Sequence, residues 1–150
     1  MTAYETVIVG TDGSTSSYAA VDRAAAVAVS NDARLIVLCA YRPIGRDDRA
    51  AAQEALGDEA YQVEGSAPAE QTLRIALGRA EAVGARRVET LAVEGDPVPA
   101  LARAVVEAGS ASLVVVGNRG LNTLAGRLLG SVPSDIARKA AADVLIVHTT

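Results

Sequence analysis

Three glycines and a serine form the pattern G-x2-G-x9-G-S, at Gly117, Gly120, Gly130 and Ser131. The pattern begins where the apolar run from 113 to 116 ends, and such a run is typical of a buried parallel strand. Open α/β sheets bind ligands at the carboxyl ends of their strands. Glycines let the backbone approach an anion closely, and a serine at a helix amino terminus offers both a hydroxyl and an N–H. The pattern therefore predicts phosphate binding.

Two arginines, Arg119 and Arg127, add positive charge around this glycine loop. Pro133 suits the first turn of the helix that follows, since its missing N–H would be unpaired there. A chain with 13 glycines also produces spaced pairs by chance, so an ordinary glycine-rich connection is the alternative. The predicted strand before the loop and the predicted helix after it favour the phosphate site.

A second candidate half-site follows the first predicted strand, in Gly10, Thr11, Asp12, Gly13 and Ser14. A carboxylate at this position can accept hydrogen bonds from both hydroxyls of a ribose. An Asx turn or a helix cap is the usual reading of an isolated Asp-Gly and is the alternative here. Because the glycine loop lies at the same sheet edge, we expect Asp12 to contact a ligand.

An alternation of strands and helices places these two segments. The predicted strands are Thr6–Gly10, Arg34–Ala40, Arg87–Val93, Leu113–Val116 and Val144–His148. The predicted helices run from a cap at Ser14 or Ser16 to Ser30, from Pro68 to Val83 before the stop signal Gly84, from Pro97 to Ala108 behind the cap Asp96, and from Val132 to Ala141. This alternation predicts one α/β domain over residues 1–150, with an open five-stranded parallel sheet and helices on both faces.

The segment from Tyr41 to Ala67 is too long for a plain connection and carries mixed charge. Long loops of this kind are usually functional lids or disordered, although residues 49–56 could form a short helix. Because the segment leaves the carboxyl end of the second strand, we expect it beside the glycine loop, where it could cover a ligand.

Composition excludes several classes of function. The net charge of −4 and the pI near 5.0 argue against binding to nucleic acid or to an anionic membrane. No apolar run approaches the roughly 18 residues of a membrane span, and residues 1–5 lack the features of a signal peptide, so we expect a cytoplasmic protein. Cys39 is the only cysteine and is expected to be a small core residue, which excludes an internal disulfide.

The residues for dedicated catalysis are incomplete. Lys139, the only lysine, lies outside any G-x4-G-K-[ST] pattern, and Thr11–Ser17 is only loosely similar to the loop of ATP pyrophosphatases. His148 is the only histidine, so neither a Ser-His-Asp triad nor a histidine-based metal site is expected. Two alternatives to a nucleotide sensor stay open: slow metal-dependent hydrolysis of ATP, and a dimeric interaction module that needs no nucleotide.

The chain resembles the universal stress protein family over essentially its whole length. The resemblance rests on the five alternating units, on the early Val9-Gly10-Thr11-Asp12-Gly13-Ser14, and on the intact glycine-serine pattern. That pattern is the signature of the family's adenine-nucleotide-binding branch, and the chain is most similar to its short single-domain actinobacterial members. The resemblance implies a Rossmann-like sheet with strand order 3-2-1-4-5.

The resemblance also implies a ligand and a set of contacts. Family members commonly bind ATP, often with Mg²⁺, and some short actinobacterial ones prefer cyclic AMP. Adenine would touch the backbone near Ala40 and the side chain of Val116, and Asp12 would hold the ribose. The implied nucleotide-binding set is Gly10, Thr11, Asp12, Ala40, Val116, Gly117, Arg119, Gly120, Arg127, Gly130, Ser131 and Val132. The expected function is a cytoplasmic nucleotide sensor or reservoir, with a homodimer formed through Val144, Leu145, Ile146 and Val147.

Overall fold

The computed structural model describes residues 2–43, 65–118 and 131–149. Within these ranges the chain forms five strands and four helices. The strands are β1 (Thr6–Gly10), β2 (Arg34–Tyr41), β3 (Val88–Glu94), β4 (Ser112–Gly117) and β5 (Asp143–Val147). The helices are α1 (Thr15–Asn31), α2 (Ser66–Val83), α3 (Pro97–Ala108) and α4 (Ser131–Lys139).

The five strands form one parallel sheet in the order β3-β2-β1-β4-β5. This confirms both the α/β class and the predicted strand order. The chain builds outward from β1 to β3 on one side, then crosses through α3 to β4 on the other side of β1. The strand order therefore reverses between β1 and β4, which is where open sheets of this kind form a ligand crevice.

Alternate residues of the strands enter two separate cores. Val7 and Val9 of β1 belong to a core on one face of the sheet, together with buried residues of α1 and α2. Ile8 points to the opposite face, where it joins a core with residues of α3 and α4. The helices meet the sheet mainly through alanine, valine and leucine, as the near absence of aromatic residues requires. Both faces of the sheet are thus covered by helices.

The ends of α1 and α2 follow the local signals of the sequence. Ser14 is the N-cap of α1, and its side chain accepts a hydrogen bond from Ser17 N at 3.1 Å. Gly84 ends α2 with a left-handed φ of 115°, and its N–H bonds the carbonyls of Ala80 and Glu81. Both predictions are confirmed.

Two predictions about helix starts are corrected. Helix α2 begins at Ser66 rather than at Pro68, because a proline is tolerated within the first turn, where N–H groups have no helical partner. Asp96 occupies the N-cap position of α3, but its side chain makes no capping hydrogen bond. A capping side chain bonds the N–H of the second or third helical residue, and the third is Pro99, which has none. The Asp96 carboxylate instead lies 3.8 Å from Arg42 Nη2 in an exposed ion pair.

The remaining differences are small shifts of bounds. Strand β5 begins at Asp143, which pairs with Leu113, and ends before His148. Helix α4 ends at Lys139 rather than at Ala141. Most of the predicted lid Tyr41–Ala67, including the possible short helix at 49–56, lies outside the described residues. Its two ends are regular structure, since Tyr41 belongs to β2 and Ala67 to α2. Each of the four helices in the described ranges is too short or too polar to cross a bilayer.

Candidate functional site

The turn between β1 and α1 is held by the Asp12 carboxylate. Its Oδ1 accepts a hydrogen bond from Ser14 N at 2.9 Å, which is an Asx turn. The Thr11 N–H donates to Leu38 O at 2.9 Å, so the carboxyl end of β1 stays attached to β2. The Asx turn, which the sequence left open as an alternative role for Asp12, is therefore present, and it uses one of the two carboxylate oxygens.

Two buried hydroxyls fix the same turn from beneath. Thr11 Oγ1 and Ser17 Oγ lie 2.7 Å apart, and the Ser17 hydroxyl also contacts Asp12 N at 3.3 Å and Ser14 O at 2.9 Å. Gly13 N donates to Thr11 Oγ1 at 3.2 Å. The polar groups of the turn thus find partners within it, so the backbone around Asp12 is positioned before any ligand arrives.

Helix α2 supports the turn from its outer side. Gly13 has a φ of +86°, and a Cβ at this position would lie 3.1 Å from Thr72 Oγ1. Burial raises the pKa of the Tyr18 hydroxyl, and the Thr72 side chain acts on this pKa in the opposite direction. Arg79 lies 5.4 Å from the centre of the Tyr18 ring and bonds both carboxylate oxygens of Asp22, at 3.0 and 2.6 Å. The positive φ of residue 13 and its close approach to Thr72 Oγ1 both favour glycine at this position.

A cavity of about 130 Å³ opens beside this turn. It lies at the carboxyl ends of β1, β2 and β4, at the switch point of the sheet, and at the amino ends of α1, α3 and α4. Its lining consists of Gly10, Thr11, Asp12, Ser16, Ser17, Leu38, Ala40, Pro97, Leu101, Val116, Gly117 and Val132. Short polar side chains of the β1–α1 region form one part of this lining, and aliphatic side chains from β2, β4, α3 and α4 form the rest.

The cavity brings together most of the predicted site residues that the structure describes. Gly10, Thr11, Asp12, Ala40, Val116, Gly117 and Val132 all line it. Ser131 is the first residue of α4, next to the lining residue Val132. The other predicted residues of the glycine loop, Arg119, Gly120, Arg127 and Gly130, lie outside the described residues.

Sequence reasoning missed five lining residues: Ser16, Ser17, Leu38, Pro97 and Leu101. Leu38 lies two residues before Ala40 on β2, so the period of two along a strand puts both on one face. Pro97 and Leu101 are four residues apart on α3 and therefore share a helix face. These periodicities could have identified three of the five. The sequence analysis gives Ser16 only as a possible helix cap, and Ser17 only as the end of the stretch compared with the loop of ATP pyrophosphatases.

Electrostatically, the cavity favours an anion at one end. Ser16, Pro97 and Val132 each belong to the first turn of a helix, so the amino ends of α1, α3 and α4 converge on it. Each end carries the partial positive charge of its helix dipole, although Ser17 N of α1 is bonded to the Ser14 cap and Pro97 and Pro99 of α3 have no N–H. Asp12 is the only titratable side chain of the described lining. Within the described ranges, no cluster of three His, Cys, Asp or Glu residues could hold a metal ion.

Comparison with known proteins assigns the chain to a family. The model of the universal stress protein family matches residues 3–148. The chain belongs to the universal stress protein family. It is 54% identical over 150 residues to a universal stress protein of Mycobacterium tuberculosis, and the match covers both chains completely. The resemblance carried by the early aspartate segment and by the glycine-serine pattern is thereby confirmed.

Two solved structures of universal stress proteins are similar to this chain. One, in complex with cAMP, is 52% identical with a TM-score of 0.77, over 99% of this chain and 100% of that one. Another, from Archaeoglobus fulgidus in complex with dAMP, is 22% identical with a TM-score of 0.66, over 95% of this chain and 97% of that one. At 22% identity, the similarity to the Archaeoglobus fulgidus protein shows a shared fold.

Proposed function

We propose that the chain binds an adenine nucleotide, cyclic AMP or ATP, in the switch-point cavity and acts as a nucleotide sensor or reservoir in a stress response. One observation carries the proposal: seven of the residues that the sequence singles out for a nucleotide line one cavity. The 52%-identical universal stress protein that holds cAMP supports the same ligand class and makes cyclic AMP the first ligand to test.

The two sides of the cavity suit the two ends of a nucleotide. Leu38, Leu101 and Val116 offer aliphatic surface for the flat adenine ring. Ala40 lies at the carboxyl end of β2 and lines the cavity, so backbone N–H and C=O groups near it can bond the edge of the base. Asp12 has one carboxylate oxygen in the Asx turn, so its other oxygen is the one assigned to a ribose hydroxyl. Cyclic AMP presents the 2′-hydroxyl alone, which one oxygen can accept.

The phosphate end is assigned to the convergent helix termini. A cyclic phosphodiester carries one negative charge, which the partial positive charge of these termini can stabilise. The triphosphate of ATP needs more positive charge, which we assign to Arg119 and Arg127, and more hydrogen-bond donors, which we assign to Gly130 and Ser131. Asp12 is the one carboxylate that the described lining offers to Mg²⁺, so phosphate oxygens and water would supply most of the metal's ligands.

We propose a binding protein rather than a dedicated catalyst. The support is that the described lining has no histidine, lysine or second carboxylate to act as general base or to activate water beside Asp12. Incubation with ATP and Mg²⁺ should accordingly leave ADP at the level of a protein-free control. Stoichiometric conversion within minutes would restore the hydrolase alternative.

We also propose that the chain forms a homodimer through β5. We further propose that it is a single domain and that it works in the cytoplasm. Among the described residues, β5 is an edge strand that pairs with β4, and its other edge is the one we assign to a second copy. Ile146 is 47% exposed, whereas Val147 is buried in the core of the monomer, so Ile146 is the side chain assigned to the contact. The family match over residues 3–148 supports one domain.

The site is tested by backbone NMR of the isotope-labelled, nucleotide-free protein titrated with cyclic AMP and with ATP. The expected result is a set of shift changes centred on Gly10, Asp12, Ala40 and Gly117. Guanosine nucleotides at the same concentration should leave these signals in place, because the proposed contacts read adenine. Saturable changes confined to another surface would overturn the assignment of the cavity.

A further inference from the structure

The carboxyl-terminal residues fold back onto the end of β4 and reach the cavity. Thr149 N and Thr149 Oγ1 each lie 2.9 Å from Asn118 Oδ1, and the same Oγ1 lies 2.5 Å from Ser16 Oγ. Ser16 is a lining residue of the cavity in the first turn of α1. A chain of three polar side chains thus connects the tail after β5 with the site proposed for the nucleotide.

The donors in this chain can be assigned from its chemistry. A backbone N–H can only donate, so the Asn118 atom that it bonds must be the amide oxygen, which only accepts. The Thr149 hydroxyl therefore donates its single proton to that oxygen. It must then accept from Ser16, so the Ser16 hydroxyl proton points to Thr149.

This assignment sets two acceptors in competition for one proton. The oxygens of an ionised phosphate are acceptors without a proton of their own, so Ser16 can bond a phosphate only by turning its proton away from Thr149. The Ser16 side chain reaches Thr149 next to Gly117, where a Cβ would lie 3.5 Å from Ser16 Oγ and from Thr149 Cγ2. The junction between tail and site therefore lies directly beside the end of β4.

We propose that Ser16 exchanges its hydrogen bond between Thr149 and the ligand phosphate, so that a nucleotide breaks the link between Thr149 and α1 while a nucleoside does not, and Thr149 keeps its two bonds to Asn118 in either case. This inference rests on the proposed nucleotide site and deepens it. Ser16 is then the residue that binds the phosphate, and Thr149 competes with the phosphate for the Ser16 hydroxyl proton. Asn118 N also bonds Val147 O at 2.9 Å, so the network is attached directly to the end of β5, the strand assigned to the dimer.

The test compares the affinities of cyclic AMP and adenosine for matched variants. Thr149→Val keeps the shape of the side chain and removes the competing hydroxyl, so the preference for cyclic AMP over adenosine should rise by about two- to tenfold. Ser16→Ala should lower the same preference by about the same factor. The double variant should resemble Ser16→Ala, because Thr149 acts only through Ser16. Thr90→Val and Ser30→Ala, at exposed positions away from the cavity, are the controls.

A second readout follows the tail itself. The NMR signal of the Thr149 methyl group, which lies next to the Thr149 hydroxyl, should shift when the unaltered protein is saturated with cyclic AMP, and should stay in place when it is saturated with adenosine. Equal preferences in all variants together with an unshifted Thr149 methyl signal in both complexes would overturn the inference while leaving the nucleotide site intact. Failure of the unaltered protein to bind any adenine ligand would overturn the proposed function, and the inference with it.

Discussion

Thr11 Oγ1 and Ser17 Oγ lie 2.7 Å apart beneath the turn that carries Asp12, and both side chains are almost completely buried. The contact joins the end of β1 to the first turn of α1. It explains why Asp12 faces the cavity from a fixed backbone, although the residue lies between a strand and a helix. Thr11, which the sequence assigns to the nucleotide, therefore has a structural role in the turn.

Removal of the Ser17 hydroxyl should loosen this turn. Ser17→Ala leaves the proton of the buried Thr11 hydroxyl without its acceptor, so we expect the free energy of unfolding to fall by about 1–3 kcal/mol. Nucleotide affinity should fall as well, because Asp12 becomes less well positioned. Thermal unfolding and calorimetry measure the two effects, with Ser30→Ala as the exposed control on the same helix. A variant with unchanged stability would show that the buried contact contributes little.

Substitutions of Asp12 should separate its two roles. Asp12→Asn keeps an acceptor for Ser14 N but loses the charge, so cyclic AMP should bind about ten- to a hundredfold more weakly with little loss of stability. Asp12→Ala loses the turn as well and should also unfold at a lower temperature. The 2′-deoxy analogue of cyclic AMP is the ligand control. If Asp12→Asn weakens it as much as cyclic AMP, the 2′-hydroxyl is not the partner of Asp12.

Gly117 should tolerate one added carbon but not three. A Cβ at this position makes ordinary contacts of 3.5 Å with Ser16 Oγ and Thr149 Cγ2, so Gly117→Ala should fold and bind with a modest loss. The two further methyl groups of Gly117→Val would enter space that these side chains and the ligand need. We expect binding to be abolished and stability to fall by about 1–3 kcal/mol. Circular dichroism checks the fold, and full binding by the valine variant would place the ligand elsewhere.

The buried Cys39 thiol should stay protonated and unreactive toward thiol reagents at neutral pH. Burial raises the pKa of its thiol to about 11. Because the folded state favours the neutral thiol, this contribution to stability is present below the ordinary thiol pKa and is lost as the pH rises toward 11. Stability measured from pH 8 to 11 should therefore fall more steeply for the unaltered protein than for Cys39→Ala. Fast labelling of the native thiol at pH 8 would contradict its burial.

Ile146 should control self-association. Ile146→Asp places a charge on the exposed face of β5, where it would have to be desolvated in a dimer, while Val147 still fills the core. Light scattering should therefore report a dimer for the unaltered protein and a monomer for the variant. Glu89→Asp, an exposed substitution on the opposite edge strand, is the control. A variant that stays dimeric would exclude this edge as the interface.

The sequence predicts the fold well because local signals and topology agree. The β-branched run before Gly10, the cap Ser14 and the stop Gly84 each act within a few residues, and the strand order follows from the family resemblance. The side chain of Asp96 was predicted wrongly: Pro99 removes one of the two N–H groups that a cap can bond, and the carboxylate pairs with the distant Arg42 instead. The contact between Ser16 and Thr149 spans 133 positions and depends on how the tail packs, which no local pattern encodes.

The central claim is tested most directly by calorimetric titration of nucleotide-stripped protein with cyclic AMP, and with ATP in the presence and absence of Mg²⁺. The account predicts saturable binding of at least one of the two nucleotides at one site per chain, and a strong loss of that binding in folded Asp12→Asn. Absence of binding by both nucleotides, or equal binding by the variant, would contradict it.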